Sequence, residues 1–288
     1  MKGISFFSVV SAVTALATTE LHNQGFTTLQ TSQSGSILTV TIDNTASNVN
    51  LISLNVLDDL DRLVTALQND SATKVVLFRS KNRDFFAAHL DVTPLVQLPG
   101  SNLLLNISRL PQASIAIVDG PARGISNEFL MACDMRFASA KAILGNFEVS
   151  LGLTLGAGGV SFMPLLLGRG RTMEYLLSGK DFNAQDAEKY GLVNKAFTSS
   201  EELYKYVNQL ANRIALFPAG ALASIKAAVN LVAGPTADQV RFDSSEFIRL
   251  TATVEAQGLL QRFLALTKNQ TSVGVELRLG EELPKLYN

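Results

Sequence analysis

The sequence predicts an α/β fold that ends in a helical C-terminal region. Three observations carry this: strand-like and helix-like segments alternate between residues 37 and 118, the texture turns wholly helical past residue 199, and a 288-residue chain that is 47 % hydrophobic can bury a large core. Residues 37–42 (ILTVTI) alternate as a strand after a polar stretch. Residues 43–50 are Asn-rich and read as a loop. Residues 53–68 carry Leu54, Leu57, Leu60, Val64 and Leu67 at helical spacing, with Asp58, Asp59, Asp61 and Arg62 on the other face. Residues 75–78 form a buried-type strand, 80–94 a loop, 102–110 a helix stopped by Pro111, and 114–118 a further strand. Short strands are expected at 135–138 and 142–144, and a helix from about residue 160, after the Gly-rich break at 156–159. Beyond it, 201–217, 219–232 and 237–266 read as helices punctuated by Pro218 and Gly234-Pro235.

Composition excludes several classes. The charge is nearly balanced, with a net charge of -1 and a pI of about 6.2, and no basic block stands ready to neutralise a phosphate backbone, so nucleic acid is not an expected partner. The single cysteine, Cys133, forbids an intrachain disulfide and lies in an apolar run as a small core residue. The histidines His22 and His89 have no metal-ligand spacing, so no metal is expected. The N-terminus (MKGISFFSVVSAVTALATTE) has one lysine, an apolar stretch and then Ala15-Leu16-Ala17, a layout that reads as a signal peptide over residues 1–17. The alternative is a hydrophobic first helix that stays attached. The corresponding locations are the secretory pathway or exterior, and the cytoplasm or an organelle. No other stretch has the roughly 18 uninterrupted apolar residues of a membrane span.

Two carboxylates stand out. Glu128 precedes the apolar run Phe129-Leu130-Met131-Ala132-Cys133, in the first turn of an expected helix whose entry is marked by Gly124 and Ser126. Glu148 ends a strand candidate ahead of a loop from Val149 to Gly159. Each has a plain structural reading, as a helix N-terminal charge and a loop charge, and sequence spacing alone does not pair them. The glycine loop has neither GxxxxGK nor GxGxxG context and reads as a tight turn into a helix, and no GxSxG is present.

The segments IVDGPARGISNEFLMACDMRFAS, LGNFEVSLGLTLGAGG and LLLGRGRTMEYLLSGKDFNAQDAEKYGLVNKAF, in that order, resemble the crotonase (enoyl-CoA hydratase/isomerase) superfamily. The earlier loop DFFAAHLD is similar to the family's first oxyanion-hole segment. The resemblance implies a crotonase-like ββα spiral core over residues 30–199 and a helical oligomerisation region over 200–288, with assembly as a homotrimer or a hexamer. It also implies Glu128 and Glu148 as catalytic acids, and the backbone N–H groups of His89 and Ile125 as the oxyanion hole. Lys81, Arg83, Ala87 and Gly124 become substrate-binding candidates, although Lys81 and Arg83 read equally as solvated loop charges. The expected reaction is hydration or isomerisation of an α,β-unsaturated acyl thioester through an enolate, with coenzyme A part of the substrate and no separate cofactor. The sequence departs from the family pattern at Gly124-Ile125-Ser126, where glycines are usual, and at His89. A secretory leader would separate the chain from coenzyme A. Two alternatives therefore stand: a cyclase or isomerase acting on another conjugated carbonyl of secondary metabolism, and a catalytically idle scaffold on the same fold.

Overall fold

β1 (Leu29–Ser34) and β2 (Ile37–Ile42) open the chain as an antiparallel hairpin, with Gly35 at a φ of 57° in the turn. The computed structural model describes residues 25–93 and 102–288, so the signal peptide expected over residues 1–17 lies outside the described residues. β1 occupies the stretch that its polar composition marks as irregular. Only Leu29 of LQTSQS is buried, because an edge strand with one solvated face needs little apolar content.

The hairpin feeds a six-stranded sheet in the order β1-β2-β3-β4-β6-β9, comprising also β3 (Val75–Ser80), β4 (Ala113–Val118), β6 (Met135–Ser139) and β9 (Lys195–Phe197). All pairings after the first are parallel. A second sheet joins β5 (Ala122–Arg123), β7 (Ile143–Gly145) and β8 (Asp181–Asn183). The chain thus steps from β4 into the small sheet at β5, runs through a helix, and returns to the large sheet at β6. That repeated strand–strand–helix step is a spiral.

α1 (Leu54–Gln68) is N-capped by Ser53, whose hydroxyl accepts from the Val56 N–H, and it buries Val56, Leu60, Leu63, Val64 and Leu67. Asp59, expected on the solvent face, is instead 2 % exposed. Its carboxylate accepts from the N–H of Thr27 and Thr28 and from the Thr28 hydroxyl, all within 2.8 Å, and so ties the chain entry to α1. Burial acts to raise its pKa, but these hydrogen bonds overcome that and hold it below its ordinary value.

The large sheet is covered on both faces. Ala116 and Val118 of β4 join the main core with α1 and α2 (Leu103–Ser108), as do residues of α3 (Ile125–Ala132) and α4 (Gly159–Ser178). Ile115 and Ile117 point the other way, against Leu203, Val207 and Ala211 of α6 (Ser200–Ala215). Two covered faces explain why β4 reads as a continuous apolar run. Between α4 and α6, α5 (Ala184–Tyr190) is capped by Asn183. α7 (Ala219–Ala233) follows α6. The single helix expected over 237–266 is two: α8 (Ala237–Thr251) and α9 (Val254–Leu266), with Thr253 capping the second through the Ala256 N–H. Short helices α10 (Val273–Leu277) and α11 (Leu279–Glu282) follow, and a 3-10 helix, Leu283–Tyr287, ends the described chain. Among the described residues no single helix is long and apolar enough to cross a membrane.

Replacing Asp59 by alanine leaves the buried amide and hydroxyl of Thr28, and the more exposed Thr27 amide, without their acceptor. The expected loss is about 2–4 kcal/mol, read from the denaturant midpoint. A change within about 0.5 kcal/mol, the range of a neutral surface substitution, would contradict the assigned role.

Candidate active site

Glu128 sits one turn into α3 and is 2 % exposed. Its Oε2 accepts from the N–H of Ala157 at 2.9 Å and of Gly159 at 2.7 Å. These amides belong to the mouth of α4, so the carboxylate is held by the next helix as well as by its own. The glycine-rich turn before α4 is therefore an anion-binding turn whose occupant is a side chain of this same protein. Gly159 has to be glycine: a Cβ there would come within 2.8 Å of Glu128 Oε2 and 2.5 Å of Leu155. Burial raises the Glu128 pKa to about 7 against the pull of the two amides, and the charge of Asp243 on α8 adds to the rise.

Glu148 begins a single 3-10 turn, Glu148–Leu151, directly after β7. Its Oε1 lies where a Cβ on Gly124 would approach to 2.9 Å. Gly124 makes that room and takes a φ of 56° before α3, a conformation open to glycine. The positive φ falls on Gly124 and not on Ile125, so the β-branched residue is a comfortable first helical residue. Glu148 Oε2 has no hydrogen-bond partner among the described residues. Burial raises the Glu148 pKa to about 8, and the Glu128 charge contributes next. Both carboxylates line one cleft of about 900 Å³, open mouth included, with His89, Gly124 and Ile125 also in its wall. The remainder of the wall is dominated by apolar side chains, among them Leu57, Leu104, Phe147 and Phe247.

Peptide orientation decides which amides open into this cleft. The Ala88 carbonyl accepts from the Arg123 N–H at 3.0 Å, and the His89 carbonyl accepts from the Ile52 N–H at 2.8 Å. The peptides are trans among the described residues. Each N–H therefore points opposite to the carbonyl before it. The His89 amide turns away from the strand leading to Ile125, and the Leu90 amide turns away from Ile52. The N–H groups of Leu90 and Ile125 have no protein acceptor among the described residues. The Ile125 amide, as the first of α3, points out of the helix mouth.

The other expected site residues are placed less centrally. Lys81 and Arg83 are exposed. Ala87 is buried in a bridge to Ala122. None of these three is among the residues lining the cleft. The His89 ring is not free in the chamber: it is 1 % exposed, with Nδ1 2.7 Å from the Leu90 carbonyl and Nε2 2.9 Å from Glu276 of α10. Sequence reasoning missed Leu90, Glu276 and the Ala157 and Gly159 amides. The glycine turn was the one visible signal for the amides, and nothing in the sequence pointed to a contact 187 residues away.

A match to the enoyl-CoA hydratase/isomerase family model spans residues 32–270. The chain belongs to that family and has the crotonase fold. It is 27 % identical to a short-chain-enoyl-CoA hydratase of Clostridium acetobutylicum, over 81 % of this chain and 93 % of that protein. It is 31 % identical to a crotonyl-CoA hydratase of Syntrophomonas wolfei, over 62 % of this chain and 72 % of that protein. A crystal structure from Streptomyces avermitilis, described as a candidate enoyl-CoA hydratase, superposes with a TM-score of 0.83 at 38 % identity, covering 90 % of this chain and 97 % of that one.

The raised carboxyl pKa values carry a sign for stability. The folded chain keeps protons on these groups that the unfolded chain releases near 4.5, so their contribution to stability falls as pH rises from about 4.5 to 8. Glu148→Gln removes part of that loss. Relative to the parent, the variant is expected to gain stability progressively between pH 5 and 8, measured by chemical denaturation. A difference independent of pH would contradict the shift.

Proposed function

We propose that the chain is an enoyl-CoA hydratase/isomerase-like enzyme that stabilises the enolate of an α,β-unsaturated acyl thioester. The observation that carries this is the joint placement of Glu128 and Glu148 in one cleft, beside the N–H groups of Leu90 and Ile125, which have no acceptor among the described residues. The thioester oxygen accepts from those two amides, and negative charge builds on it as the reaction proceeds. The donor expected at His89 moves one residue along to Leu90, because that is the amide turned toward Ile125.

The environments favour different roles for the two acids. Two amide donors favour the charged form of Glu128, so it acts as the base. It takes a proton from a water whose oxygen adds to Cβ. Glu148, with an unpartnered oxygen and the Glu128 charge nearby, is the proton donor. It delivers its proton to Cα as the enolate collapses, and the sum is one water added across the double bond. An isomerisation uses the same hole with one acid moving a proton between two carbons. The mainly apolar wall suits an apolar acyl chain.

We also propose self-association as a homotrimer or a hexamer. α7 buries none of its residues in the single chain, and leaves Ile225 at 64 %, Val229 at 57 % and Leu231 at 88 % exposed. Light scattering is expected to give an oligomer, and a monomer at micromolar concentration would contradict it.

Glu148→Gln is expected to lower hydration of crotonyl-CoA by about a hundredfold or more, with binding retained by calorimetry. A rate within about threefold of the parent would contradict the paired-acid mechanism, whose general acid–base terms are larger than that. Absence of crotonyl-CoA binding at millimolar ligand would redirect the reading to a conjugated carbonyl that carries no coenzyme A.

A further inference from the structure

The two amides proposed as oxyanion donors stand on different strands of chain, and both strands are tied to one residue. On the Leu90 side, His89 Nδ1 lies 2.7 Å from the Leu90 carbonyl and His89 Nε2 lies 2.9 Å from Glu276 Oε2. On the Ile125 side, Arg123 precedes Gly124-Ile125, and its Nη1 donates to the Glu276 carbonyl at 2.9 Å. Arg123 is 1 % exposed, and its Nε and Nη2 each donate to Asp181 at 2.9 Å. The guanidinium is therefore fixed from β8 as well as from α10.

We propose that Glu276 is a positioning residue that sets the spacing between the Leu90 and Ile125 amides, its side chain holding one strand through His89 and its backbone carbonyl the other through Arg123. This rests on the reading of those amides as the oxyanion hole.

A carbonyl only accepts, so His89 Nδ1 carries hydrogen. One further proton lies between Nε2 and Oε2, which makes the pair an imidazolium with a carboxylate or an imidazole with a carboxylic acid. Either form keeps a hydrogen bond at 2.9 Å and no net charge on the dyad. Glu276 is fully buried, and the His89 ring packs edge-on against Phe147 and Phe263. A buried pair hydrogen-bonded in a low-dielectric setting holds its geometry firmly. The same ring contact reaches the cleft, because Phe147 lines it and precedes Glu148. The loop is joined again to the turn between α9 and α10 at Gln270, whose Oε1 accepts from the Val92 N–H and whose Nε2 donates to Asp91.

A clamp of this kind acts on turnover, since the amides bear charge in the transition state more than in the bound substrate. Glu276→Ala is expected to lower kcat for crotonyl-CoA hydration about tenfold to a hundredfold with KM within about twofold, as a displacement of about 1 Å does. Glu276→Gln can donate from its amide to Nε2 of the Nδ1–H tautomer, and is expected to recover most of the lost turnover. An unchanged kcat in a folded Glu276→Ala chain overturns the proposal, as does a loss that Gln fails to restore. A second readout needs no turnover. In hydrogen–deuterium exchange of Glu276→Ala, peptides covering residues 86–92 are expected to exchange faster while those covering 122–128, whose Arg123 keeps the backbone carbonyl of residue 276, do not, and unchanged exchange over 86–92 overturns the clamp. A parent chain that hydrates no thioester would remove the proposed function, and the exchange result would still judge the clamp by itself.

Discussion

The carboxylate of Glu128 is lodged on the Ala157 and Gly159 amides at the mouth of α4, and the cleft is arranged around that contact. It fixes α3 against α4, and it brings the glycine turn up to the carboxylate so closely that no side chain fits at Gly159. It also puts a charge-stabilising site inside a buried space, where an unpaired carboxylate would be expelled or protonated. With Glu128 held there, the charge of a second acid in the same cleft is opposed. Glu148 is the group on which that opposition falls, and its carboxyl is raised by burial first and by Glu128 next. The proposed division between a base and an acid then follows from environment, not from residue type.

Much of the fold is legible in the chain because its signals are local. β2, β3 and β4 announce themselves through β-branched alternation or apolar runs, and α1 and α6 through helical spacing. The failures have equally local causes. β1 is nearly all polar because one of its faces meets water. The break between α8 and α9 is invisible because Thr253 caps a helix inside what reads as continuous periodicity. Asp59 looks like a surface charge until the Thr27 and Thr28 amides are placed beside it.

The candidate site divides in the same way. Glu128, Glu148 and Gly124 are legible by resemblance and take positions on one cleft wall. The difference between His89 and Leu90 as donor is a matter of peptide direction, which Ile52 and Arg123 fix through hydrogen bonds to the neighbouring carbonyls. No motif encodes that. The pairing of His89 with Glu276 spans most of the chain, and it makes the imidazole a buried structural partner. The C-terminal helices therefore do more than cover the core. α9 backs the cleft through Phe263, Leu259 and Leu260 packed with Phe147 and Leu151, while α10 reaches both His89 and Arg123, the residues beside the proposed donors.

The central claim is that the Leu90 and Ile125 amides converge on one polarised carbonyl. The most direct measurement is the infrared C=O stretch of crotonyl-CoA labelled with carbon-13 at the thioester carbon, bound to a Glu148→Gln chain so that it is not consumed. The account predicts a band at lower frequency than in solution, because two N–H donors draw electron density onto oxygen. A band at the solution frequency in the saturated complex would contradict it.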